Sequence, residues 1–235
     1  MQKMPIRSKL ILSLSKLNPN LFLGLKKLGG FFNLSMSYRH DADLHIPYGR
    51  ITRIQDHPVG QDLENHIKEF GRINANMSVK EEPSQPMIAQ FVSNCGSQSG
   101  REKLLQSLQK ILPVDVYGGC GKLQCPRSSS DQCLEMLGSR YKFYLSLENA
   151  VCKGYVTEKF FNILPHNTIP VVLNGADMSS IAPPHSYINI QDFPTTAKLA
   201  EYLKKVGEDD QLFASYFWWR SFYKVQVRSD YLRQD

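Results

Sequence analysis

The part of the chain after Pro86 alternates short apolar segments with amphipathic ones, and this alternation constrains the fold more than any other feature. The apolar segments predict strands over residues 87–92, 114–117, 141–147, 169–173 and 187–190. The amphipathic segments predict helices over residues 101–112, 131–137, 156–164, 195–206 and 209–223. Strands that alternate with helices form a parallel sheet with helices on both faces, so the sequence predicts an α/β fold.

Composition excludes several other classes of protein. A hydrophobic content of 42% over 235 residues supports a substantial core, which excludes disorder as the main state. The 15 glycines and 13 prolines show no period, which excludes a collagen-like chain. No apolar stretch approaches the roughly 20 residues that a membrane-spanning helix needs, so no transmembrane anchor is predicted.

The basic residues are placed unevenly. The chain has 28 basic and 22 acidic residues, and residues 1–30 hold six basic ones and no acid: Lys3, Arg7, Lys9, Lys16, Lys26 and Lys27. The remaining sequence is balanced at 22 of each sign, so its charge does not indicate nucleic acid as a partner. We interpret residues 1–30 as a basic arm outside the fold; the alternative is a segment that lies on an anionic membrane surface.

A change in composition divides the rest of the chain in two. Residues 31–84 have an aromatic and polar start, a loop punctuated by proline, and a polar stretch that ends in the linker-like residues 81–86. Residues 85–235 hold the alternating pattern. The sequence therefore predicts three parts: an arm over 1–30, a small region over 31–84, and an α/β domain over 85–235.

The cysteines and two sequons bear on the compartment. Five cysteines lie within 58 residues, and they lack the paired C-x2-C spacing of a structural zinc site, so no zinc is predicted. Asn33 and Asn76 each begin an N-x-S sequon, which is glycosylated only in a secretory lumen. In that compartment five cysteines predict two disulfides and one unpaired thiol.

Two loops of the predicted sheet carry charges suited to a diphosphate, and ligands bind beyond the carboxyl ends of parallel strands. The first loop, residues 93–100, opens a helix in which Ser99 and Glu102 fit a capping box and Arg101 lies in the first turn. A cation there opposes the helix dipole unless an anion binds beside it, which makes Arg101 a candidate phosphate ligand. The alternative is an arginine in solvent.

The second loop, residues 148–155, leads into the predicted helix over 156–164. The first turn of this helix presents Glu158, which suits ribose hydroxyls, and Lys159, which suits phosphate. The alternative is an ordinary amphipathic helix with an exposed Glu–Lys pair. The sequence Asp41-Ala42-Asp43 has the D-x-D spacing of some metal sites, but it lies outside the predicted sheet, so no metal site is predicted.

Several segments together resemble the α1,3/4-fucosyltransferase family. They are FNLSMSYR at 32–39, VSNC at 92–95, VDVYG at 114–118, YKFYLSLEN at 141–149, YVTEK at 155–159 and IPVV at 169–172, with Asp41, Asp43, residues 47–49, Arg101, Cys120 and Cys152. The ordered block over 141–172 is the most specific part. The resemblance runs from about residue 31 to residue 223.

The resemblance implies a GT-B-like architecture, in which residues 85–235 form a Rossmann-type donor-binding domain and residues 31–84 are a remnant of the N-terminal acceptor domain. It implies inverting transfer of L-fucose from GDP-fucose, in α1,3 linkage, to an N-acetylglucosamine-containing glycan of a glycoprotein or glycolipid, with no obligatory metal or cofactor. It also implies a membrane-associated glycoprotein that works in protein glycosylation in the Golgi lumen.

The same resemblance assigns roles to five residues by matching position. Arg101 and Lys159 are expected to hold the diphosphate, Glu158 the ribose, and Tyr155 the nucleotide, while Asn149 lies on the sugar-facing side. The general base that an inverting transfer needs is expected upstream of this chain. None of Glu64, Glu69, Glu81 and Glu82 stands in the family's context for that base.

Three departures from the family keep other functions open. The acceptor domain, the signal anchor and the closing cysteines of the family have no counterpart in this sequence. One alternative is therefore an inactive GDP-sugar-binding fragment, or a regulatory module, that lacks the base. The other is a peripheral membrane factor that acts through its basic arm.

Overall fold

The computed structural model of the protein describes residues 32–77 and 86–227, together with the backbone of residues 11–14. The rest of the basic arm over 1–30, the linker carboxylates Glu81 and Glu82, and Ser78 of the second sequon lie outside the described residues. Within the part that is described, no helix combines the length and the apolar character that a bilayer crossing requires.

The first half of the chain forms two small sheets and one helix. Strands β1 (Ile11–Leu14) and β3 (Leu44–His45) both pair in parallel with β2 (Leu34–Ser37). Strand β4 (Gly49–Arg53) is followed by helix α1 (Gly60–Ile73). Composition alone predicted only a polar stretch over the residues of α1. Leu63, Ile67 and Phe70 recur at helical spacing and pack against the hydrophobic core, so the segment is an amphipathic helix.

The centre of the fold is a five-stranded sheet in which every pair of neighbours is parallel. Its strands are β5 (Ile88–Phe91), β6 (Val114–Tyr117), β7 (Phe143–Leu147), β8 (Ile169–Leu173) and β9 (Ile188–Asn189), in the order β6-β5-β7-β8-β9. The strands contain the β-branched and aromatic residues typical of buried parallel strands, and all five residues of β7 are buried. The predicted α/β fold is confirmed.

The sheet is covered on both faces. The remaining helices are α2 (Arg101–Gln109), α3 (Ser130–Arg140), α4 (Glu158–Phe161), α5 (Thr196–Glu208) and α6 (Asp210–Ser215). Phe143, Leu145 and Leu147 of β7 belong to the core cluster that includes side chains of α2, α5 and α6. Tyr144, between them, belongs to a cluster on the other face with Leu137 of α3. This alternation places α3 and α4 on the face opposite to α2, α5 and α6.

Two helix predictions were wrong. The helix expected over 156–164 is the single turn α4, because Pro165 has no N–H to donate to the carbonyl of Phe161 and the chain continues as turns. The helix expected over 209–223 ends at Ser215 and is followed by a 3-10 turn, Trp218–Ser221, and by strand β10 (Tyr223–Val227). Strand β10 pairs antiparallel with β4, so tertiary pairing overrides the local helical pattern.

The first and last parts of the chain share one core. Trp218 is fully buried, and its ring contacts His57 and His66 from the first half. The close approach of β4 to α4 requires a glycine, since a Cβ on Gly49 would overlap the ring of Phe161. The division of the chain at residues 84 and 85 stays a prediction.

Candidate functional site

A cleft of about 650 Å³ opens at the carboxyl ends of β5, β6 and β7. The chain passes from β5 to β6 on one side and then to β7 on the other side of β5, so this edge is the point where the strand order reverses. Such switch points are where open α/β sheets bind ligands. All five side chains that the sequence predicted for donor binding line this cleft: Arg101, Asn149, Tyr155, Glu158 and Lys159.

Arg101 bridges the two strands at the switch point. Its Nη1 donates to the carbonyl of Leu147 at the end of β7 at 3.1 Å, and its Nη2 donates to the carbonyl of Asn94 in the loop after β5. Its Nε lies 3.3 Å from Oε1 of Glu102. Arg101 is only 2% exposed, so the interpretation of an arginine in solvent is wrong. The remaining guanidinium N–H groups are those with which Arg101 can meet a ligand in the cleft.

The capping box predicted for Ser99 and Glu102 is also wrong. Helix α2 begins after Gly100, which adopts a left-handed conformation with φ of 77° and makes no side-chain cap. The Glu102 carboxylate instead accepts from the backbone N–H and the hydroxyl of Ser97, both at 2.9 Å. These bonds hold the pKa of Glu102 below its usual value although burial opposes the shift. The serine that bonds Glu102 is Ser97 and not Ser99, because Ser99 lies inside the turn that the left-handed conformation of Gly100 permits.

Lys159 is held by a buried carboxylate that the sequence analysis quoted without giving it a role. Its Nζ donates to Oε2 of Glu148 at 3.1 Å and to Oγ1 of Thr157 at 3.0 Å. Glu148 is 1% exposed and also accepts from the backbone N–H of Thr157 at 2.7 Å and from its hydroxyl at 3.0 Å. Burial raises the pKa of Glu148, against the charge of Lys159 and the Thr157 bonds.

At the start of α4, two backbone amides already have partners within the protein. The N–H of Thr157 bonds Glu148, and the N–H of Lys159 bonds the Thr157 hydroxyl at 3.4 Å. A helix of one turn also sums few peptide dipoles. The positive charge at this side of the cleft therefore resides in the Lys159 ammonium rather than in the helix terminus.

The other predicted residues occupy the same wall. Tyr155 is buried against Tyr38 and Tyr48, with ring centroids 4.9 and 6.2 Å away, and burial raises the pKa of its phenol. The Glu158 side chain is 55% exposed, which leaves its carboxylate open to a ligand. Asn149, half-buried, stands at the mouth of the loop after β7.

The sequence analysis missed an aromatic wall of the cleft. It consists of Phe91, Tyr117 and Tyr144, one from each of β5, β6 and β7, with edge-to-face contacts of 5.0 and 5.7 Å around Phe91. The Tyr117 hydroxyl bonds that of Tyr141 at 2.7 Å, and Tyr141 donates to Asp115 at 2.7 Å. Phe91 and Tyr117, the aromatic residues that end β5 and β6, were the signal that could have found it.

Two disulfides stiffen the loops beside that wall. Cys95–Cys120 joins the loop after β5 to the loop after β6, and Cys125–Cys133 joins the latter loop to α3. Asn94, Gly118 and Cys125 line the cleft, so both bonds lie next to it. Cys152 is the one unpaired cysteine, as the sequence predicted from five cysteines.

The remaining candidates lie away from the cleft. Asp41 pairs with Arg39 at 2.5 Å, and Asp43 accepts from Ser35, so both D-x-D carboxylates are engaged. Glu69 of α1 pairs with Arg72 at 2.6 Å, and Glu64 lies on the exposed side of the same helix. Asn33 and Asn76 are both exposed. Within residues 32–77 and 86–227, no three His, Cys, Asp or Glu side chains are grouped as metal ligands.

A doubly covered parallel sheet whose switch-point cleft holds an arginine, a lysine and an exposed glutamate defines an α/β protein with a ligand-binding cleft. The family model "Glycosyltransferase family 10 (fucosyltransferase) C-term" matches residues 81–234. The chain belongs to this family.

Relatives and solved structures agree with this assignment. The chain is 42% identical over 205 residues to "Alpha-(1,3)-fucosyltransferase C" of Drosophila melanogaster, covering 86% of this chain and 48% of that protein. It is 38% identical over 199 residues to human "4-galactosyl-N-acetylglucosaminide 3-alpha-L-fucosyltransferase FUT6", covering 83% of this chain and 50% of the relative. The chain thus spans about half the length of these curated relatives.

The fold also matches a crystal structure of an α1,3-fucosyltransferase with GDP-fucose. The TM-score is 0.61 at 18% identity, over 91% of this chain and 67% of the other. This likeness confirms the predicted GT-B-like fold.

Proposed function

We propose that the chain binds GDP-fucose and takes part in the transfer of L-fucose, in α1,3 linkage, to an N-acetylglucosamine-containing glycan of a glycoprotein or glycolipid. One observation carries the proposal: five side chains that were chosen from the sequence line a single cleft at the switch point of the sheet. The α1,3-fucosyltransferase relatives and the solved structure with GDP-fucose support the identity of the donor.

The charges in the cleft suit a nucleotide diphosphate. Arg101 and Lys159 both bond the end of β7: Arg101 donates to the Leu147 carbonyl, and Lys159 donates to the carboxylate of the next residue, Glu148. In our proposal these two cations hold the diphosphate, Glu158 accepts the ribose hydroxyls, and Tyr155 packs against the nucleotide. Asn149 faces the sugar.

The proposed reaction is a displacement with inversion and without an obligatory metal or cofactor. The acceptor hydroxyl oxygen forms a bond to C1 of fucose while the bond from C1 to the diphosphate oxygen breaks. GDP leaves with that electron pair, and its developing charge is stabilised by Arg101 and Lys159. A general base takes the proton of the acceptor hydroxyl, and we expect this base upstream of the chain.

One observation favours a second candidate function, a GDP-sugar-binding module without turnover. Among the residues that the structure describes, Glu158 is the one carboxylate that lines the cleft, and the first proposal assigns it to ribose. Radiolabelled transfer from GDP-fucose to a lactosamine acceptor separates the two candidates. Turnover supports the transferase, whereas GDP binding without transfer supports the module.

Donor binding itself is tested by calorimetric titration with GDP. We expect Lys159→Met to weaken GDP binding about tenfold or more, because a charge-assisted bond contributes about 1.5 to 3 kcal/mol. Lys198→Met is the matched control, since Lys198 pairs with Glu201 on an exposed face of α5. Equal GDP affinity in the two variants would refute the donor site.

Glu158 gives an independent test of the ribose assignment. We expect Glu158→Gln to weaken GDP binding while the free energy of unfolding stays within about 0.5 kcal/mol of the wild type, because the side chain is 55% exposed. Calorimetry and urea unfolding measure the two quantities. A large loss of stability with unchanged affinity would make Glu158 a structural residue instead.

We further propose the setting that the resemblance implies. Residues 85–235 would be the donor-binding domain, and the protein would be a membrane-associated glycoprotein of the Golgi lumen with glycans on Asn33 and Asn76. Exposure of both asparagines supports the last point. Expression in a secretory host should give a chain whose mobility shifts on glycosidase treatment; an unshifted chain would contradict the glycosylation.

A further inference from the structure

We propose that Glu148 and Thr157 are positioning residues, which act on the donor diphosphate only through Lys159. The inference rests on the proposed function, because it concerns how the cation of that site is held. Glu148 and Thr157 are each 1% exposed, whereas Lys159 lines the cleft. The two buried residues thus lie behind the residue that meets the ligand.

The network fixes Lys159 at both ends. At the backbone, the Ser146 hydroxyl donates to the Lys159 carbonyl at 2.7 Å. At the ammonium, Glu148 and Thr157 accept at 3.1 and 3.0 Å. Glu148 is itself anchored to the sheet, since its N–H donates to the carbonyl of Leu173 at 3.1 Å. A lysine side chain is flexible in water, and this frame removes that freedom before a ligand arrives.

The hydrogen-bond directions leave Lys159 able to bind a ligand. The Thr157 hydroxyl donates its proton to Glu148 and accepts from the Lys159 ammonium. An ammonium has three N–H donors, and the two bonds use two of them. The third is left for the cleft that Lys159 lines, where Oε1 of Glu158 lies 3.8 Å from the ammonium. Thr157 therefore connects a buried carboxylate to the ammonium without occupying its last donor.

Stability alone is a weak reason for such a network. Buried ion pairs are often replaced by apolar residues at no cost, because desolvation offsets their attraction. The pair stands at the switch-point cleft, next to the strand end that Arg101 also binds. We infer that it holds the ammonium in place for the diphosphate, in the way that supporting residues hold the groups of other binding sites.

Thr157→Val tests the inference because it changes neither charge nor shape while it removes the hydroxyl. The full chain is titrated with GDP in a calorimeter. We expect Thr157→Val to weaken GDP binding about fivefold to tenfold, and Thr157→Ser, which keeps the hydroxyl, to bind within about twofold of the wild type. Thr168→Val is the matched control: Thr168 is also 1% exposed, but its hydroxyl bonds the carbonyls of Leu137 and Tyr141, away from the cleft.

The decisive measurement repeats Thr157→Val in the Lys159→Met background. If Thr157 acts only through Lys159, the second substitution causes no further loss of GDP affinity. An equal loss in both backgrounds, or a loss matched by Thr168→Val, would overturn the inference. Glu148→Asp, which retracts the carboxylate but keeps its charge, is measured in the same way and answers the same question if Thr157→Val fails to fold.

The outcomes separate this inference from the function on which it rests. If Lys159→Met itself keeps the GDP affinity of the wild type, the donor site is refuted and the inference falls with it. If Lys159→Met weakens binding while Thr157→Val and Glu148→Asp do not, the donor site stands and the positioning role alone is refuted.

Discussion

At the scale of single residues, the cations of the cleft are tied to the protein before any ligand binds. Arg101 donates three hydrogen bonds, one to Glu102 and two to backbone carbonyls. Lys159 donates two, to Glu148 and Thr157. Both residues therefore contribute to folding as well as to the site. An alanine substitution at Arg101 would leave the buried carbonyl of Leu147 without this donor, so its effect on GDP binding has to be measured together with its effect on stability.

The buried pair gives a prediction about stability. We expect Lys159→Met to lower the free energy of unfolding by about 3 kcal/mol, because it leaves Glu148 buried without its cation. Glu148→Gln in the same chain should restore most of this loss, since no buried charge then remains. Urea unfolding measures both variants against Lys198→Met as the surface control. A Lys159→Met chain as stable as that control would contradict the prediction.

At the scale of elements, the sequence predicted those parts of the fold that local pattern decides. Strands β6 and β8 were predicted to the residue, because each is a short apolar run bounded by turn residues. The segment over 209–223 failed because pairing with β4, about 170 residues earlier, decides its last part. Arg101, Glu158 and Lys159 could be chosen from the charges of the loops and helix starts that follow strand ends, whereas Asn149 and Tyr155 were chosen only by the family resemblance. Glu148 was not chosen, because its burial and its hydrogen-bond partners are tertiary properties.

The turn at His185, which packs against the last residue of α6, predicts that the stability of the fold depends on pH. His185 has φ of 55°, stacks on Tyr216 at 3.9 Å and bonds Ser215 at 2.7 Å. Burial lowers the pKa of His185 to about 4 from 6.5. Since the unfolded chain binds the proton more tightly, His185 stabilises the fold fully above pH 6.5 and loses this contribution, up to about 3 kcal/mol, as the pH falls to 4.

Asparagine is the matched replacement for His185, because it tolerates positive φ and does not titrate. We expect His185→Asn to be less stable than the wild type at pH 7 and to show a weaker loss of stability between pH 6.5 and 4. Urea unfolding across this range measures the difference. Parallel curves for the two proteins would contradict the assignment to His185.

The disulfide Cys95–Cys120 joins two loops of the cleft, so we expect its removal to change both the stability of the fold and the affinity for GDP. Replacing both cysteines by alanine should lower the free energy of unfolding by about 3 kcal/mol, as expected for a loop closed over 25 residues. It should also weaken GDP binding, because Asn94 and Gly118 lie beside the bond. Cys152→Ala is the control that removes a cysteine without removing a disulfide. Unchanged GDP affinity in the double variant would show that the loops keep their positions without the bond.

At the scale of the whole molecule, the first and last parts of the chain are packed as one body. Strand β4 pairs with β10, and Gly71 of α1 lies against Gln211 of α6. The chain has two tryptophans, Trp218 and Trp219, and both are buried where these parts meet. The predicted domain boundary near residue 84 therefore does not imply that the two sides unfold separately.

This packing predicts a single unfolding transition. Tryptophan fluorescence reports the junction, and far-ultraviolet circular dichroism reports the central sheet and its helices. We expect the two signals to give the same midpoint in urea, as a cooperative unit does. A fluorescence change that precedes the loss of secondary structure would show that the N-terminal elements detach first.

The two rims of the cleft differ in how they are fastened. Both disulfides crosslink one rim, which carries Asn94, Gly118 and Cys125. Within the described residues, packing and hydrogen bonds hold the other rim, which carries Asn149, Tyr155 and Glu158. The two disulfides limit how far the loops of the first rim can separate. We therefore expect entry and departure of the proposed nucleotide to depend on movement of the rim that has no disulfide. A probe placed near the unpaired Cys152 would report that movement.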